Sequence, residues 1–291
     1  MAAAPPGGTD PAPLRRSSGA LGHLRRLSRR PEVRREESLL LVDGPVLLGD
    51  AVAAGADIVE VFAEVGAEVP SGVPSHVPVR PVAPGELAKV LDVVTPRGVV
   101  AVVRRPRADL GALLDAGADA GRPVVLLVGI GDPGNAGTLV RVAEAAGAVG
   151  VVLTAGSVDV WGPKAVRAAA GSSLRLPVVS GAEWPAVFEA ARERGVPTVA
   201  TVPSDGDPPE AVGLGSAHLL CLGNEANGLP PELVEGADLR VRIPMAGGVE
   251  SVNAAVAGAV LLFESARRRR VDGGGPTGSE TGGGPGPGGG S

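Results

Sequence analysis

IPMAGGVESVNAAVAGAVLLFE, from Ile243 to Glu264, decides how this chain is read. It contains the end of a strand, a Gly-rich loop, an N-cap at Ser251, and then a helix with almost no polar residues. On that helix Val252, Val256, Ala259, Val260 and Phe263 share one face. Ala254, Ala255, Gly258, Leu261 and Leu262 lie round the other. A helix apolar on all sides is expected to be buried on all sides. Two earlier segments, GDPGNAGTLVRVAEAAG (Gly131 to Gly147) and LLCLGNEANGLPPEL (Leu219 to Leu233), share a further property with it. Each ends a β-type run and turns into polar, Gly-rich sequence. In α/β folds such turns stand at the carboxyl ends of strands, where ligands bind.

Around these segments the chain alternates. From Pro123 to about Arg270, the runs PVVLLVG, VGVVLT, LPVV, VPTVATV, AHLLCLG and ADLRVRIPM are separated by helical patterns such as TLVRVAEAAG and WPAVFEAARERG. Continuous apolar strands alternating with helices predict a parallel sheet covered on both faces. Ahead of it, SLLLVDG, PVLLGDAVAAG, DIVEVFAE, VPVRPVA, PGELAKVLDVV and GVVAVVRR give a β-α-β-β-α-β order, a small mixed domain. The expected organisation is a disordered start over 1–14 and an N-terminal domain over 15–105. A linking helix follows within 106–122, then the α/β domain over 123–270 and a Gly/Pro-rich tail over 271–291.

Composition bounds the function. The chain of 291 residues carries a net charge of −5, has no Tyr, and has Lys only at positions 89 and 164. The Arg preference reads as coding bias. Position matters more than the sum. Arg15, Arg16, Arg25, Arg26, Arg29, Arg30, Arg34 and Arg35 crowd one region, and Arg267 to Arg270 form a second block. Each is open to two readings, a solvated charge run or a phosphate-holding surface. Cys221, the single cysteine, is a small core residue in HLLCLG. His23, His76 and His218 have no metal-ligand spacing, so no metal is expected. No run reaches the ~18 apolar residues of a membrane helix, and no apolar leader opens the chain, so the cytoplasm is the expected compartment.

Gly129-Ile-Gly131-Asp-Pro-Gly134 fits the G-x-G-x-x-G pattern after a strand. A dinucleotide site also wants an acid at the end of the next strand. That strand, VGVVLT, ends at Thr154 with Ala155 and Gly156 following, and Asp159 comes too late. A nicotinamide or flavin enzyme is set aside on that ground.

Three motifs in order and register fit another pattern. They are N-x-G-x-x-x-R (Asn135 to Arg141), G-x-E-x-x-G (Gly223 to Gly228), and the Ile243-Pro-Met segment with Ser251-Val252-Asn253. Over roughly residues 24–268 the chain resembles the SpoU/TrmH family of RNA ribose 2′-O-methyltransferases, of the SPOUT superfamily. The block LLLVDGPVLLGDAVAAG is similar to the ribosomal-protein-like substrate domain that often precedes it. Val252 departs from the family's usual Leu, a conservative change.

The resemblance implies an α/β domain whose parallel sheet ends in a deep trefoil knot, a path that patterning alone would not predict. It implies S-adenosyl-L-methionine as cofactor, a homodimer, and methyl transfer to a 2′-hydroxyl in structured RNA, with ribosomal RNA ahead of transfer RNA. It places Thr154, Gly223, Ile243, Val252 and Asn253 at the cofactor. It places Arg141, Asn135, Glu225, Ser251 and Asn253 in the catalytic set, with Arg141 facing the same rim as the other motifs. Arg141 stays protonated, so its expected part is to hold an adjoining phosphate, with that phosphate or Glu225 receiving the proton. Alternatives stay open for several side chains. Asn135 also suits a turn, and Ile243 and Val252 also suit plain core. Arg25, Arg26, Arg29, Arg30, Lys164 and Arg167 are candidate RNA contacts or a solvated face. A non-catalytic RNA-binding or ribosome-assembly protein on the same fold is the competing reading.

Overall fold

The computed structural model describes residues 12–92, 97–247 and 251–272. The expected disorder over 1–11 and 273–291 lies outside those residues. Two boundaries shift. Leu14, placed with the disordered start, pairs in parallel with Val82. The last helix runs through Asp272, two residues into the expected tail.

The Arg-rich start is structured. α1 (Gly19–Arg29) begins at Ser18, whose Oγ accepts from the Leu21 amide at 3.2 Å. Leu21, Leu24 and Leu27 recur along one side of α1 and are fully buried, whereas Arg25, Arg26 and Arg29 of the helix and Arg30 at its C-cap are exposed. α2 (Pro31–Glu37) opens on Pro31, which suits the first helical position.

The mixed domain follows as β1 (Leu39–Asp43), α3 (Pro45–Ala53), β2 (Ile58–Glu64), β3 (Val79–Val82), α4 (Glu86–Val90) and β4 (Val99–Arg104). Its four-stranded sheet has the order β1-β4-β2-β3. β4 runs antiparallel to both β1 and β2, and β2 runs parallel to β3. Side chains alternate across a strand. Leu39 and Leu41 join Leu21, Leu24, Leu27 and Phe62 in a core under α1. Leu40 and Val42 face the other way, into a core that continues through Val125, Leu127 and Ile130 of the second domain. The α1 layer therefore covers the sheet face turned away from the second domain.

α5 (Leu110–Ala120) links the two domains, capped by the Asp109 carboxylate at the Ala112 amide. The second domain contains β5 (Val124–Leu127), α6 (Pro133–Ala145), β6 (Gly150–Thr154), α7 (Pro163–Ala169), α8 (Ser172–Arg175) and β7 (Val178–Ala182). It continues with α9 (Trp184–Glu193), β8 (Thr198–Thr201), β9 (Leu219–Leu222), α10 (Pro231–Gly236), β10 (Leu239–Val241) and α11 (Ala254–Asp272). The sheet has six strands in the order β10-β8-β9-β5-β6-β7, every pair parallel. Every residue of β5, β6 and β9 is buried, as their unbroken apolar runs predict. The chain leaves β5 toward β6 and β7, then returns to the far side through β8, so β5 and β9 flank the point where the order reverses. A crevice outside the carboxyl ends of strands is expected there.

α11 crosses back from the edge strand β10 to the middle of the domain. Gly258 permits the contact, since an added Cβ would lie 2.4 Å from Leu139 Cδ2 and 2.9 Å from Leu222 Cδ1. The expected burial on all sides of this helix is not met in the single chain. Ala255, Leu261, Leu262 and Ala266 are buried, but Val256 is 51% exposed, Val260 44% and Phe263 49%. The buried side is filled by α6 and β9, and among the described residues the stripe of Val252, Val256, Val260 and Phe263 is left exposed.

Candidate active site

The loops after β5, β9 and β10 meet beside the reversal point. Asn135, in the first turn of α6, donates from Nδ2 to Glu225 Oε1 at 2.8 Å. Asn253 Nδ2 donates to Asn135 Oδ1 at 3.0 Å. The Gly131 amide donates to Glu225 Oε2 at 3.3 Å. One hydrogen-bonded chain thus joins all three motifs.

Glu225 also explains why the G-x-G-x-x-G stretch is no pyrophosphate site. Asp132 caps α6 by accepting from the Asn135 amide at 2.8 Å, and Pro133 is the first helical residue. The anion position at such a helix start is taken by the protein's own carboxylate. Burial pulls the Glu225 carboxyl up, but hydrogen bonds from Asn135 and from the backbone at Glu225, Gly131 and Asp132 outweigh it and hold it below the ordinary carboxylate range. A carboxylate so held fixes Asn135 better than it takes up a proton.

Ser251 is not the cap of α11. Asn253 fills that position, its Oδ1 accepting from the Ala255 amide at 2.8 Å and the Val256 amide at 3.3 Å. It therefore stands just ahead of the helix rather than inside its first turn. A side-chain amide can accept from the helix start and donate to Asn135 at once, which a serine hydroxyl at 251 is too short and too far back to do.

A cavity of about 520 Å³ opens alongside. Gly223, Glu225, Ile243, Ser251 and Val252 line it, as do Leu222, Leu229 and Leu261. This size and a mostly apolar wall with a few polar groups suit a small molecule. Gly223 is essential to the wall's shape, because an added Cβ would lie 2.3 Å from the Gly228 carbonyl carbon and 2.5 Å from the Leu229 nitrogen. Thr154, expected at the cofactor, does not line the cavity. Its hydroxyl is buried and accepts from the Gly129 amide at 3.0 Å, holding the loop after β5 from beneath.

Other expected residues also have different places. Arg141 lies six residues beyond Asn135, about 9 Å along the α6 axis. It is exposed, has no hydrogen bond or ion pair among the described residues, and is outside the cavity lining, so it does not share the rim with the other motifs in the single chain. Helix geometry separates them, since six residues is not a whole number of turns. Arg167 pairs with Asp43 of the first domain, and Lys164 pairs with Asp132 at 3.0 Å, so these two of the candidate RNA contacts already have a protein partner.

Two groups of residues were missed from sequence. Thr201, Val202 and Pro203 line the cavity from the end of β8, a position that the strand run VPTVATV marks once the strand order is known. Asn224 holds the second motif in place. Its Nδ2 donates to the Gly129 carbonyl at 2.7 Å, and its Oδ1 accepts from the Ala226 and Asn227 amides at 2.9 and 3.1 Å. Its signal was an Asn immediately before a turn.

An all-parallel α/β domain with a small-molecule cavity at its topological switch point, ringed by fixed amide and carboxylate groups, defines an enzyme of the cofactor-binding α/β class. The profile described as the SpoU rRNA Methylase family matches residues 122–263, so this domain is of the SpoU methylase type. The chain is 29% identical over 230 residues to the 23S rRNA (guanosine(2553)-2′-O)-methyltransferase RlmP of Bacillus subtilis, covering 79% of this chain and 89% of that protein. It is 36% identical over 189 residues to a 23S rRNA (uridine(2479)-2′-O)-methyltransferase of Streptomyces viridochromogenes, covering 60% of this chain and 61% of that protein. The crystal structure of the SpoU methyltransferase AviRb from Streptomyces viridochromogenes with AdoMet superposes with a TM-score of 0.77 at 28% identity, covering 87% of this chain and 98% of that one.

Proposed function

We propose that this protein transfers a methyl group from S-adenosylmethionine to the 2′-hydroxyl of a ribose in structured RNA, with ribosomal RNA ahead of transfer RNA. The observation that carries the reading is the convergence of three distant motifs on one hydrogen-bonded chain, Asn253 to Asn135 to Glu225, beside the cavity. The relatives named for 2′-O-methylation of ribosomal RNA support the substrate class.

The cavity fits the cofactor by size and by its wall, with Gly223, Ile243 and Val252 as the lining that would hold it. When bound, S-adenosylmethionine supplies an electrophilic methyl group on a sulfonium. The protein's part is positioning. Asn135 and Asn253 are each locked by one hydrogen bond from Nδ2, which leaves a second N–H on each to orient a hydroxyl oxygen. Arg141, permanently charged and unengaged, is the group to hold the adjoining phosphate.

The exposed arginines at the end of α1 are the proposed RNA-docking surface, and a second copy is the proposed cover for the Val256, Val260 and Phe263 stripe of α11. The return of α11 across α6 and β9 after the edge strand supports the knotted path. Among the described residues no helix is long and apolar enough to cross a membrane, and the cytoplasm is the proposed compartment.

The test is incubation with S-adenosylmethionine labelled in its methyl group, with unmodified ribosomal RNA and transfer RNA in separate reactions. Labelled 2′-O-methyl nucleoside after digestion is expected from ribosomal RNA. Cofactor binding without label in either pool counts against the proposed substrate. Replacing Arg25, Arg26, Arg29 and Arg30 by Gln should weaken RNA binding and flatten its salt dependence by up to about four phosphate contacts. Unchanged affinity and salt slope would move the docking surface elsewhere.

A further inference from the structure

The α1 arginines and the cavity belong to different layers, because α1 covers the sheet face turned away from the second domain. One buried side chain spans the gap. Arg34, 4% exposed, points its guanidinium between the end of α1 and the loop that follows β6. Nη1 donates to the Leu27 carbonyl and to the Ser28 carbonyl, the latter at 3.1 Å. Carbonyls in the last turn of a helix have no partner within it, and a cation there also suits the helix dipole. Nε and Nη2 donate to Asp159 Oδ2 at 2.8 and 2.6 Å. Among the described residues, Arg34 is the side chain that hydrogen-bonds both to α1 and to the second domain.

Asp159 passes the contact on. Its Oδ1 accepts from the Trp161 amide at 3.0 Å, and its carbonyl accepts from the Gly162 amide at 3.0 Å. In the same loop the Val158 amide donates to the Ile130 carbonyl at 2.8 Å. Ile130 lies between Gly129, held by Asn224, and Gly131, which donates to Glu225. Arg105, from the end of β4, lies over the Trp161 ring at 4.9 Å and stiffens the same junction. The two carbonyls that Arg34 grips lie between Arg25 and Arg26 on one side and Arg29 and Arg30 on the other.

A buried ion pair is weak evidence for stability, since an apolar pair of equal volume usually serves as well. Its distinct property is direction, because a guanidinium with four donor contacts fixes the relative orientation of what it joins. We propose that Arg34 is a positioning residue, holding the arginine end of α1 in one register with the loops of the active site so that RNA docked on α1 presents its ribose to the cavity. This rests on the reading above that the α1 arginines dock RNA for methyl transfer.

The test compares Arg34→Lys in two backgrounds, the wild-type chain and the variant with Gln at positions 25, 26, 29 and 30. Arg34→Lys keeps the charge and loses the fork. In the wild-type background kcat on ribosomal RNA should fall about tenfold, a part of what misplacement by an ångström costs. Cofactor affinity and RNA affinity should stay within about twofold. In the Gln background, where RNA no longer docks on α1, the same substitution should change kcat by less than about twofold. Asp159→Asn, approached from the other side of the pair, should reproduce the pattern and serves if Arg34→Lys is poorly folded. Equal losses in both backgrounds, or parallel loss of cofactor binding, would reduce Arg34 to a support of the fold and overturn the proposal. An unaltered kcat in an active protein overturns it as well. A wild-type protein that methylates neither RNA removes the underlying reading, and the proposal with it.

Discussion

Replacing Gly223 with Ala should disable the cavity proposed for the cofactor while leaving the rest of the fold standing. The new Cβ would lie 2.3 Å from the Gly228 carbonyl carbon, 2.5 Å from the Leu229 nitrogen and 2.6 Å from the Gly228 oxygen. Carbon atoms in contact stand about 3.5–4.0 Å apart, so the overlap exceeds 1 Å and falls on backbone, which cannot rotate away. The loop must open. Opening breaks the paired bonds between Asn224 and Gly228, at 3.0 and 2.9 Å. Two such bonds contribute about 2 kcal/mol together. For a chain of this size that corresponds to a fall in Tm of roughly 3 °C.

The same opening displaces the neighbouring Glu225 and one wall of the cavity. If the cofactor requires the closed loop, the cost of restoring it is taken from binding, and Kd should rise about 30-fold. Scanning calorimetry and isothermal titration with S-adenosylmethionine measure the two effects. Gly213→Ala is the control, because a Cβ there meets nothing within 4 Å. A Gly223→Ala variant that binds and melts like the Gly213→Ala variant would refute the reasoning, since it would show that the loop yields without cost.

Three further outcomes are expected. Arg141→Ala should leave cofactor affinity unchanged and lower turnover by about 100-fold or more, the scale of a lost positioning group, and single-turnover assays with bound cofactor separate the two. Val256→Asp with Phe263→Asp should yield a monomer in sedimentation velocity, whereas a wild-type chain that already sediments as a monomer would leave the α11 stripe without its proposed cover. Burial of His218, assisted by nearby Arg269 and opposed by its hydrogen bond to the Ser216 carbonyl, lowers its pKa from 6.5 to about 4. Between those values the unfolded chain binds a proton that the folded chain refuses, so stability is intact above pH 6.5 and falls by up to roughly 3 kcal/mol as pH drops to about 4. His218→Gln should flatten that part of the denaturation–pH curve, and an unchanged slope would assign the acid loss to other groups.

The Arg-rich start shows how a strong feature can hide a weaker one. Eight arginines mark the region by charge, while Leu21, Leu24 and Leu27 behind a serine cap carry the period of a helix. Arg34 lies in the same crowd and is buried, the opposite of its neighbours Arg29 and Arg30. Nothing local separates them, because its partner Asp159 is 125 residues away. Arg167 and Lys164 are parallel cases, exposed by composition and engaged by Asp43 and Asp132 in the fold.

The strands, the helices and their alternation were legible because hydrophobic periodicity is a local property of the chain, written into each short segment. So were the three motif loops, since a parallel sheet sends every strand end to one edge. Which of their side chains would touch was not. Asn135 meets Glu225 across 90 residues and Asn253 across 118. Thr154 turns to Gly129 instead of the cavity. Arg141 stands apart from both, and one side of α11 is left open. Directional polar contacts are short, so they depend on the relative placement of loops that the sheet order brings together. That placement is set by the packing of the whole domain, and only the tertiary structure contains it.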